Sequence, residues 1–292
     1  MFFMRIKIIG DGAWGTALSR LLVTNGHEIT FWDKKEQIDP LDAVVVAVPT
    51  QAIRGVLNNY GRNLSKSIII NSAKGIEQKS HQMPVQIIKG ILGPEIKYYT
   101  LIGPSFAQEV NLKMPTLVNL GGYDGEMQQI CDLFETDFFR VRPTKAVEAL
   151  ELAGALKNVY AIACGIADGL GFKINTRAKL ITIAYEEFQR LASNLNYAID
   201  EDARPGILGD LVLTCSSIES RNFRFGKYLA TSSIEESVKK VNSTIEGYNT
   251  VFSILNFSEK CPMPLAEFVL TIIEENNPGK IAGKFADFVK KI

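Results

Sequence analysis

Two charged residues in otherwise apolar segments are the first candidates for chemistry. Lys157 lies within LELAGALKNVYAIACG, residues 150–165, and Asp210 lies within LGDLVLTC. A buried ammonium or carboxylate must find a partner or lose its charge. Lys157 can extend its ammonium from the edge of an apolar face into solvent, or it can be held inside for proton transfer. Together the two charges indicate either a structural salt bridge or a shared active site.

A second cluster has the donors that an oxyanion needs. Ser220, Arg221 and Asn222 are consecutive in SSIESRNFRFG. Arginine presents a planar fork of N–H donors that matches a phosphate or a carboxylate, and the neighbouring serine and asparagine add neutral donors. The alternative is a solvated turn without a ligand.

The residue types that are scarce argue against several mechanisms. The chain has two histidines, His27 and His81, and neither lies in a motif. We therefore expect no Ser-His-Asp arrangement, and a general base would be Lys, Asp, Glu or Tyr. The four cysteines are scattered without a CxxC pair, so we predict free thiols in a reducing compartment and no metal site.

A glycine-rich turn near the start predicts a dinucleotide site. RIKIIG has the β-branched composition of a strand, and Gly10, Gly12 and Gly15 follow in GDGAWGTAL with the spacing G-x-G-x-x-G. A helical pattern and a second strand, EITFWD, complete the unit, which ends at Asp33. Glycines let the backbone approach a pyrophosphate at the positive end of a helix, and the acidic residue binds the ribose. The alternative is a tight turn with no ligand.

Five further apolar runs are typical of strands: AVVVAVPTQ, SIIINSAKG, YYTLIGPSFAQE, PTLVNLGG and FFRVRP. Near-continuous apolar strands suit a parallel sheet that is covered on both faces. Ligands bind beyond the carboxyl ends of such strands, where the sequence places Pro49-Thr50-Gln51, Lys74 and Gly103-Pro104-Ser105. Lys74 is therefore a candidate site residue, although most loop lysines are only solvated.

The pattern changes after Pro143, where helical spacing replaces strand signals up to Ile292. We predict a dinucleotide-binding domain over 1–143 and a helical substrate-binding domain over 144–292. The 32 basic and 32 acidic residues balance, which argues against a nucleic-acid partner. No segment has the roughly 18 uninterrupted apolar residues of a membrane span. The first apolar run is too short for a signal peptide, so we expect a cytoplasmic protein.

Taken together, seven motifs resemble the NAD(P)-dependent glycerol-3-phosphate dehydrogenase family. They are GDGAWGTAL, SAKGIE, GPSFAQE, GALKNVYAIACGIADGLG, GILGDLVLTC, SRNFRFG and EGYNT, in the family's order across nearly the whole chain. The resemblance implies a Rossmann-type doubly wound sheet followed by an all-helical C-terminal domain of the 6-phosphogluconate-dehydrogenase-like type. It also implies that the chain interconverts sn-glycerol 3-phosphate and dihydroxyacetone phosphate with NAD or NADP, which supplies glycerol phosphate for phospholipid synthesis.

The resemblance further implies roles for single residues. Lys157 would be the acid/base residue, with Lys74 and Asp210 completing the catalytic set. The residues expected to bind the substrate are Lys74, Gly103, Ser105, Lys157, Asp210, Ser220, Arg221 and Asn222. Those expected to bind the dinucleotide are Gly10, Gly12, Ala13, Trp14, Gly15, Asp33, Lys74, Ala107, Arg221, Thr244 and Glu246. On this basis Lys157 lies in the site rather than at an exposed edge.

Three features depart from the family's pattern. Between Asp33 and Val44 the chain has only KKEQIDPLDA, where the family usually has a helix and a strand. We therefore expect a reduced sheet flank beside the adenosine pocket. Ile183 and Ala184 stand where the family commonly has Arg-Gly, so one positive charge is absent. Asp11 places a carboxylate in the glycine loop, near the expected phosphates.

The residues around Asp33 also predict which dinucleotide is used. A carboxylate at the end of the second strand accepts hydrogen bonds from the ribose hydroxyls of NAD and repels the 2′-phosphate of NADP. Lys34 and Lys35 follow and could offset that repulsion, but their side chains are long and solvated. We therefore predict a preference for NADH.

Two other functions stay open at this point. One is an NAD(P)-dependent reductase of another small hydroxy acid, and the other is a dinucleotide-binding sensor without turnover. SRN together with GDL argues against the first, because those residues suit a phosphate group. The presence of Lys74, Lys157 and Asp210 argues against the second. We also expect a small phosphorylated substrate as the ligand, and a homodimer.

Overall fold

Strands and helices alternate along the first half of the chain, and the strands form one seven-stranded sheet with the order β2-β1-β3-β4-β5-β6-β7. The computed structural model describes residues 3–34, 36–38, 41–259 and 261–292. The strands are β1 (Arg5–Ile9), β2 (Glu28–Phe31), β3 (Ala43–Val46), β4 (Ile68–Asn71), β5 (Tyr98–Ile102), β6 (Thr116–Gly121) and β7 (Phe139–Thr144). The helices of this half are α1 (Ala13–Thr24), α2 (Thr50–Tyr60), α3 (Pro84–Leu92), α4 (Ala107–Asn111) and α5 (Met127–Phe134), with a 3-10 turn at Leu64–Lys66.

The central strands are buried along their whole length. Every residue of β3, β4 and β5 is buried, as expected for apolar strands with both faces covered. Neighbouring strands from β2 to β5 pair in parallel, so the residues that follow β3, β4 and β5 lie at one edge of the sheet. The Rossmann-type sheet that the sequence predicts is confirmed.

The parallel arrangement stops at β6, which pairs with β5 in the antiparallel sense, while β7 is parallel to β6. The sequence-based expectation of a parallel sheet was wrong for this one junction. The link between β5 and β6 carries a helix of five residues, α4. Such a helix rises only about 7.5 Å, too little to return the chain along the length of a strand.

The expected short flank lies between β2 and β3. β2 is an edge strand, and the next strand along the chain, β3, pairs with the other side of β1. Part of the short connection packs on the end of α2, where the Ile38 amide donates to the Tyr60 carbonyl at 2.9 Å. The rings of Trp32 and Tyr60 are in contact, with centroids 5.1 Å apart. These contacts hold Trp32 and Ile38, two described residues of the connection, against the end of α2.

The second half of the chain is helical, as predicted. Its helices are α6 (Val147–Gly169), α7 (Ile174–Asn194), α8 (Asp210–Ser216), α9 (Arg221–Leu229), α10 (Ile234–Val241), α11 (Glu246–Val251), α12 (Ile254–Ser258), α13 (Pro264–Glu275) and α14 (Pro278–Lys291). A 3-10 turn at Glu201–Ala203 and a π turn at Pro205–Gly209 precede α8. By length and composition α6 could cross a membrane, but its most apolar window is entirely buried inside the protein, as in a core helix.

Glycines set the closeness of α6 and α9. A Cβ atom on Gly165 of α6 would lie 2.1 Å from the Phe223 carbonyl oxygen, and one on Gly226 of α9 would lie 2.0 Å from the Ile162 carbonyl oxygen. Only residues without a side chain allow the two backbones to approach this closely. The crossing therefore fixes which polar residues of the two helices meet.

The chain divides into two compact units, each built from several segments. The first comprises residues 1–74, 82–151 and 198–207, and the second comprises 75–81, 152–197 and 208–292. The division into domains after residue 143 stays a prediction. All four cysteines are free and buried.

Candidate active site

The glycine loop of the first unit requires its glycines for two different reasons. Gly10 has a φ of +120°, and a Cβ atom there would lie 2.6 Å from the Ala47 carbonyl oxygen. A Cβ atom on Gly15 would lie 2.0 Å from the Gly10 carbonyl oxygen, so this glycine lets α1 pack against the turn. Around Gly12 the space within 4 Å of the Cβ position is open. The loop is therefore tight where it folds and open where a ligand would approach.

The helix that follows the loop can hold an anion. α1 has 12 residues, its N-cap is Gly12, and its first turn contains no acidic residue. Its first backbone N–H groups have no carbonyl partners within the helix, and the helix dipole favours negative charge at this end. A dinucleotide pyrophosphate fits this donor set and the open space over Gly12. Asp11 is exposed, which keeps its carboxylate in solvent.

Three further predicted cofactor residues lie in this unit. Trp14 lies in the first turn of α1, and its indole Nε1 is buried without a hydrogen-bond partner among the described residues. Asp33 and Lys34 are exposed beyond the end of β2. Lys35 lies outside the described residues. Ala107 is the first residue of α4, next to the segment that follows β5.

The sheet edge of the first unit brings together three predicted site residues. The Lys74 ammonium donates to the Gly103 carbonyl oxygen at 2.9 Å, and the Ser105 hydroxyl donates to the same oxygen at 3.2 Å. A Cβ atom on Gly103 would lie 2.6 Å from Val118 Cα, so glycine lets this turn pack on β6. Lys74 is half-buried. The two loops are therefore joined through their site residues.

The second unit contains the buried pair that the sequence predicts. Lys157 of α6 is 7% exposed and Asp210 of α8 is 1% exposed. The Lys157 ammonium donates to Asp210 Oδ1 at 2.5 Å and to the Thr214 hydroxyl at 2.8 Å. Thr214 also donates to the Asp210 carbonyl oxygen, one helical turn earlier, at 2.6 Å. The ammonium is thus held by an opposite charge and a hydroxyl within an apolar helix.

Next to this pair, buried amides connect three helices. The Asn222 side chain of α9 donates to Asn158 Oδ1 of α6 at 2.8 Å and accepts from the Gly247 amide of α11 at 2.9 Å. The Asn158 amide donates to the Gly154 carbonyl oxygen. Asn222 is therefore a buried member of a network that fixes the start of α9.

The remaining predicted residues of the second unit lie at helix starts. Ser220 is the N-cap of α9, where its hydroxyl oxygen accepts from the Phe223 amide at 3.3 Å. Arg221 follows it, is exposed, and donates to the Ser243 hydroxyl at 3.0 Å. Thr244 is exposed, and the partly exposed Glu246 begins α11. The contact with Ser243 brings Arg221 to the segment of Thr244.

Sequence reasoning missed Thr214, Asn158 and Ser243. Each is a neutral polar residue, and neutral polar residues occur on most helices and turns. Thr214 had one usable signal, because it lies four residues after Asp210 and so on the same helix face. Asn158 had only its position beside Lys157. On α7, Ile183 is half-buried and Ala184 is buried, where the resemblance would place an arginine and a glycine.

Comparison with protein-family models gives two matches. Residues 5–39 and 33–128 match the model of the NAD-dependent glycerol-3-phosphate dehydrogenase N-terminus, and residues 147–283 match the model of the C-terminus. The two N-terminal pieces meet at residues 33–39, where this chain has its short connection after β2.

Curated proteins and solved structures agree with these matches. The chain is 33% identical to glycerol-3-phosphate dehydrogenase, NAD(P)+, of Oceanobacillus iheyensis, over 94% of this chain and 91% of that protein. It is 34% identical to the protein of the same name from Citrifermentans bemidjiense, over 95% of both chains. The crystal structure of glycerol-3-phosphate dehydrogenase from Coxiella burnetii superimposes with a TM-score of 0.87 at 26% identity, covering 98% of this chain and 99% of that chain.

The geometry of the buried pair predicts a large cost for removing one partner. Asp210→Ala leaves the Lys157 ammonium buried without its counter-charge, and we expect a loss of roughly 3–5 kcal/mol in the free energy of unfolding. Urea unfolding measures it. Glu275→Ala is the control, because it breaks an ion pair with Lys284 in which both side chains are about one-third exposed. We expect that variant to lose less than about 1 kcal/mol. Equal losses in the two variants would contradict the buried pairing.

Proposed function

The chain belongs to the NAD-dependent glycerol-3-phosphate dehydrogenase family, and we propose that it interconverts sn-glycerol 3-phosphate and dihydroxyacetone phosphate. The observation that carries the proposal is the Lys157 ammonium, held by Asp210 at 2.5 Å and Thr214 at 2.8 Å inside an apolar helix. Reduction of a ketone requires one hydride at carbon and one proton at oxygen. A buried lysine with a fixed counter-charge is a suitable donor for that proton.

We propose that the glycine loop holds the dinucleotide. The full set of residues that we assign to dinucleotide binding is Gly10, Gly12, Ala13, Trp14, Gly15, Asp33, Lys74, Ala107, Arg221, Thr244 and Glu246. The tight turn at Gly10 and the open space over Gly12 support this assignment. When bound, NADH or NADPH supplies the hydride.

We propose that Lys157 transfers the proton. In the reduction, Nζ gives a proton to the oxygen on the substrate's second carbon, and solvent then reprotonates the amine. In the oxidation, the amine takes the hydroxyl proton as the hydride leaves. Asp210 stabilises the ammonium form and, with Thr214, fixes the direction of the side chain. Lys74 would contact the same substrate from the loop that it shares with Gly103 and Ser105.

We propose that the start of α9 binds the phosphate group. The exposed Arg221 presents its guanidinium next to Ser243, and its planar fork matches two phosphate oxygens. One hydrogen of the Asn222 amide donates to Asn158, and we assign the other to the phosphate. Ser220 would complete the set with its hydroxyl hydrogen. A phosphate at this place also meets the N-terminal amides of α9.

The proposed reaction also suggests a place in metabolism. The product glycerol phosphate would supply phospholipid synthesis in the cytoplasm. A homodimer stays a prediction from the sequence.

Purified protein should oxidise NADH or NADPH in the presence of dihydroxyacetone phosphate. We expect much slower turnover of unphosphorylated dihydroxyacetone, because it lacks the group that Arg221 would bind. The loss of reduced-dinucleotide absorbance measures both rates. Turnover of 2-keto acids in place of dihydroxyacetone phosphate would favour a hydroxy-acid reductase. Dinucleotide binding without any turnover would favour a sensor.

Lys157→Ala should lower kcat by about 10²–10⁴-fold, the usual size of a general acid–base contribution. Binding of NADH should persist, since we assign no cofactor contact to this residue. Lys239→Ala, an exposed lysine of α10, is the control and should keep full activity. A folded Lys157→Ala protein with near-normal turnover would refute the assignment.

Arg221→Ala should raise the KM for dihydroxyacetone phosphate by about 10- to 150-fold, because a charged hydrogen bond contributes roughly 1.5–3 kcal/mol. The KM for the dinucleotide should rise as well if Arg221 contacts both ligands. Arg224→Ala is the matched control, since this arginine lies on the same helix and donates to the Ile218 carbonyl oxygen. If Arg221→Ala leaves the KM unchanged, the phosphate is bound elsewhere.

The preferred dinucleotide should be NADH. Asp33 is exposed at the end of β2, where its carboxylate would accept from ribose hydroxyls and repel a 2′-phosphate. We expect kcat/KM to be higher with NADH, and Asp33→Ser to shift the ratio toward NADPH. Lys34→Ser is the control, and it should shift the ratio of kcat/KM further toward NADH. A wild-type ratio that favours NADPH by about tenfold or more would show that the lysines dominate.

A further inference from the structure

A buried carboxylate in the first unit accepts hydrogen bonds from three different elements. Glu151, in the second turn of α6, is 1% exposed. Its Oε1 accepts from the Tyr98 hydroxyl of β5 and from Asn71 Nδ2 at the end of β4, the latter at 3.2 Å. Its Oε2 accepts from the Val85 amide of α3 at 2.9 Å. The carboxylate therefore joins two strand segments to the N-terminus of a helix.

The Glu151 carboxylate is one of the groups that set the orientation of the Asn71 side-chain amide. Asn71 Nδ2 faces the carboxylate, so a flipped amide would place its own oxygen against the oxygens of Glu151. In the observed orientation Nδ2 also donates to the Ala73 carbonyl oxygen at 3.1 Å. Asn71 Oδ1 accepts from the Ala73 amide at 3.0 Å. The Asn71 side chain thus holds both the carbonyl oxygen and the amide of Ala73, and we call this pair of hydrogen bonds the Asn71 clamp.

Lys74 is the next residue after that clamp. Its ammonium donates to the Gly103 carbonyl oxygen at 2.9 Å. The backbone direction at Ala73 determines where the Lys74 side chain begins. A continuous series of contacts therefore runs from Glu151 through Asn71 and Ala73 to Lys74.

We propose that Glu151 is a positioning residue for Lys74, acting through the Asn71 clamp on Ala73. The kinetic part of the proposal rests on the proposed function, in which Lys74 contacts the substrate. Without the Glu151 carboxylate the Asn71 amide loses one of the acceptors that select its orientation, and its hold on Ala73 is weaker. The segment that carries Lys74 then samples additional conformations, and a smaller share of molecules has the ammonium in place.

The ionisation of Glu151 suggests the substitution to use. Burial raises the pKa of Glu151 to about 7, and the hydrogen bonds from Tyr98, Val85, Thr100 and Asn71 oppose this rise. Tyr98 is the titratable group that faces it, and the partners from the other two elements are the Asn71 amide and the Val85 N–H. Glu151→Gln keeps the volume but replaces one acceptor oxygen with a donor. The Tyr98 hydroxyl, Asn71 Nδ2 and the Val85 N–H then compete for one remaining acceptor oxygen.

The chain provides a matched control in the second unit. Glu187 of α7 is also fully buried, and it accepts from the Leu265 and Ala266 amides at the N-terminus of α13, at 2.5 and 3.4 Å. Burial raises the pKa of Glu187 to about 7 as well. Glu187→Gln therefore perturbs a buried helix cap of the same kind, and the residues that it caps, Leu265 and Ala266, are not among the predicted site residues.

Hydrogen–deuterium exchange of the full chain tests the physical link without any turnover. We expect the Ala73 amide to exchange about tenfold faster or more in Glu151→Gln, and at the wild-type rate in Glu187→Gln. Asn71→Ser removes the clamp itself and sets the scale of its complete loss. Glu151→Leu removes both acceptor oxygens and should give the same acceleration, which keeps the proposal testable if Glu151→Gln folds poorly. Unchanged exchange at Ala73 in the folded variants would overturn the proposal.

A double-mutant cycle with Lys74→Met tests the kinetic consequence. Glu151→Gln should lower kcat/KM for dihydroxyacetone phosphate by about tenfold in the wild-type background, and should have almost no effect when Lys74 is already methionine. Glu187→Gln should change kcat/KM by the same factor in both backgrounds, because it has no link to Lys74 in this account. Additive losses would show that Glu151 acts independently of Lys74 and would overturn the proposal. If wild-type protein does not reduce dihydroxyacetone phosphate while Ala73 exchange still accelerates, the proposed function fails and the positioning link is supported.

Discussion

An ammonium that is buried inside an apolar helix needs a counter-charge and hydrogen-bond acceptors close to it. The helices of the second unit supply these groups to Lys157. Asp210 and Thr214 lie one turn apart on α8, so a single helix face presents both the counter-charge and the hydroxyl to Lys157. The glycines of α6 and α9 let those helices touch, which brings Asn222 against Asn158, beside the lysine. A bulkier residue at either crossing point would separate these groups. The close packing of α6 and α9 and the hydrogen bonding of the polar groups beside Lys157 therefore depend on each other.

The first unit meets a similar requirement in a different way. Its buried charge is the Glu151 carboxylate, and the partners are neutral donors from β4, β5 and α3. Burial raises the pKa of this carboxyl to about 7, and the neutral donors lower it only in part. A buried polar group that is fully hydrogen-bonded rigidifies its surroundings. In this unit the element made rigid is the loop of Lys74.

The sequence predicted the features that contrast with their surroundings. Lys157 and Asp210 were identifiable because a charge in an apolar run is rare, and the glycine loop because its spacing has a steric reason. Glu151 gives the same contrast in LELAG, seven residues from the start of the helical pattern, and its role was still missed because its partners are distant in sequence. The antiparallel β6 was missed because strand direction depends on the connection, not on strand composition. Asn158 was missed because a neutral amide does not stand out from its neighbours in the sequence.

Chemical rescue of Lys157→Ala tests most directly whether this ammonium is the proton donor. Primary alkylamines that enter the space left by the side chain should restore reduction of dihydroxyacetone phosphate in a concentration-dependent way, with a rate that varies with the pKa of the added amine. A quaternary ammonium of similar size carries charge but no proton, and it should not restore activity. Equal rescue by both compounds would show that Lys157 contributes only charge. A lack of rescue by any amine, in a variant that folds and binds NADH, would contradict the proton-transfer account.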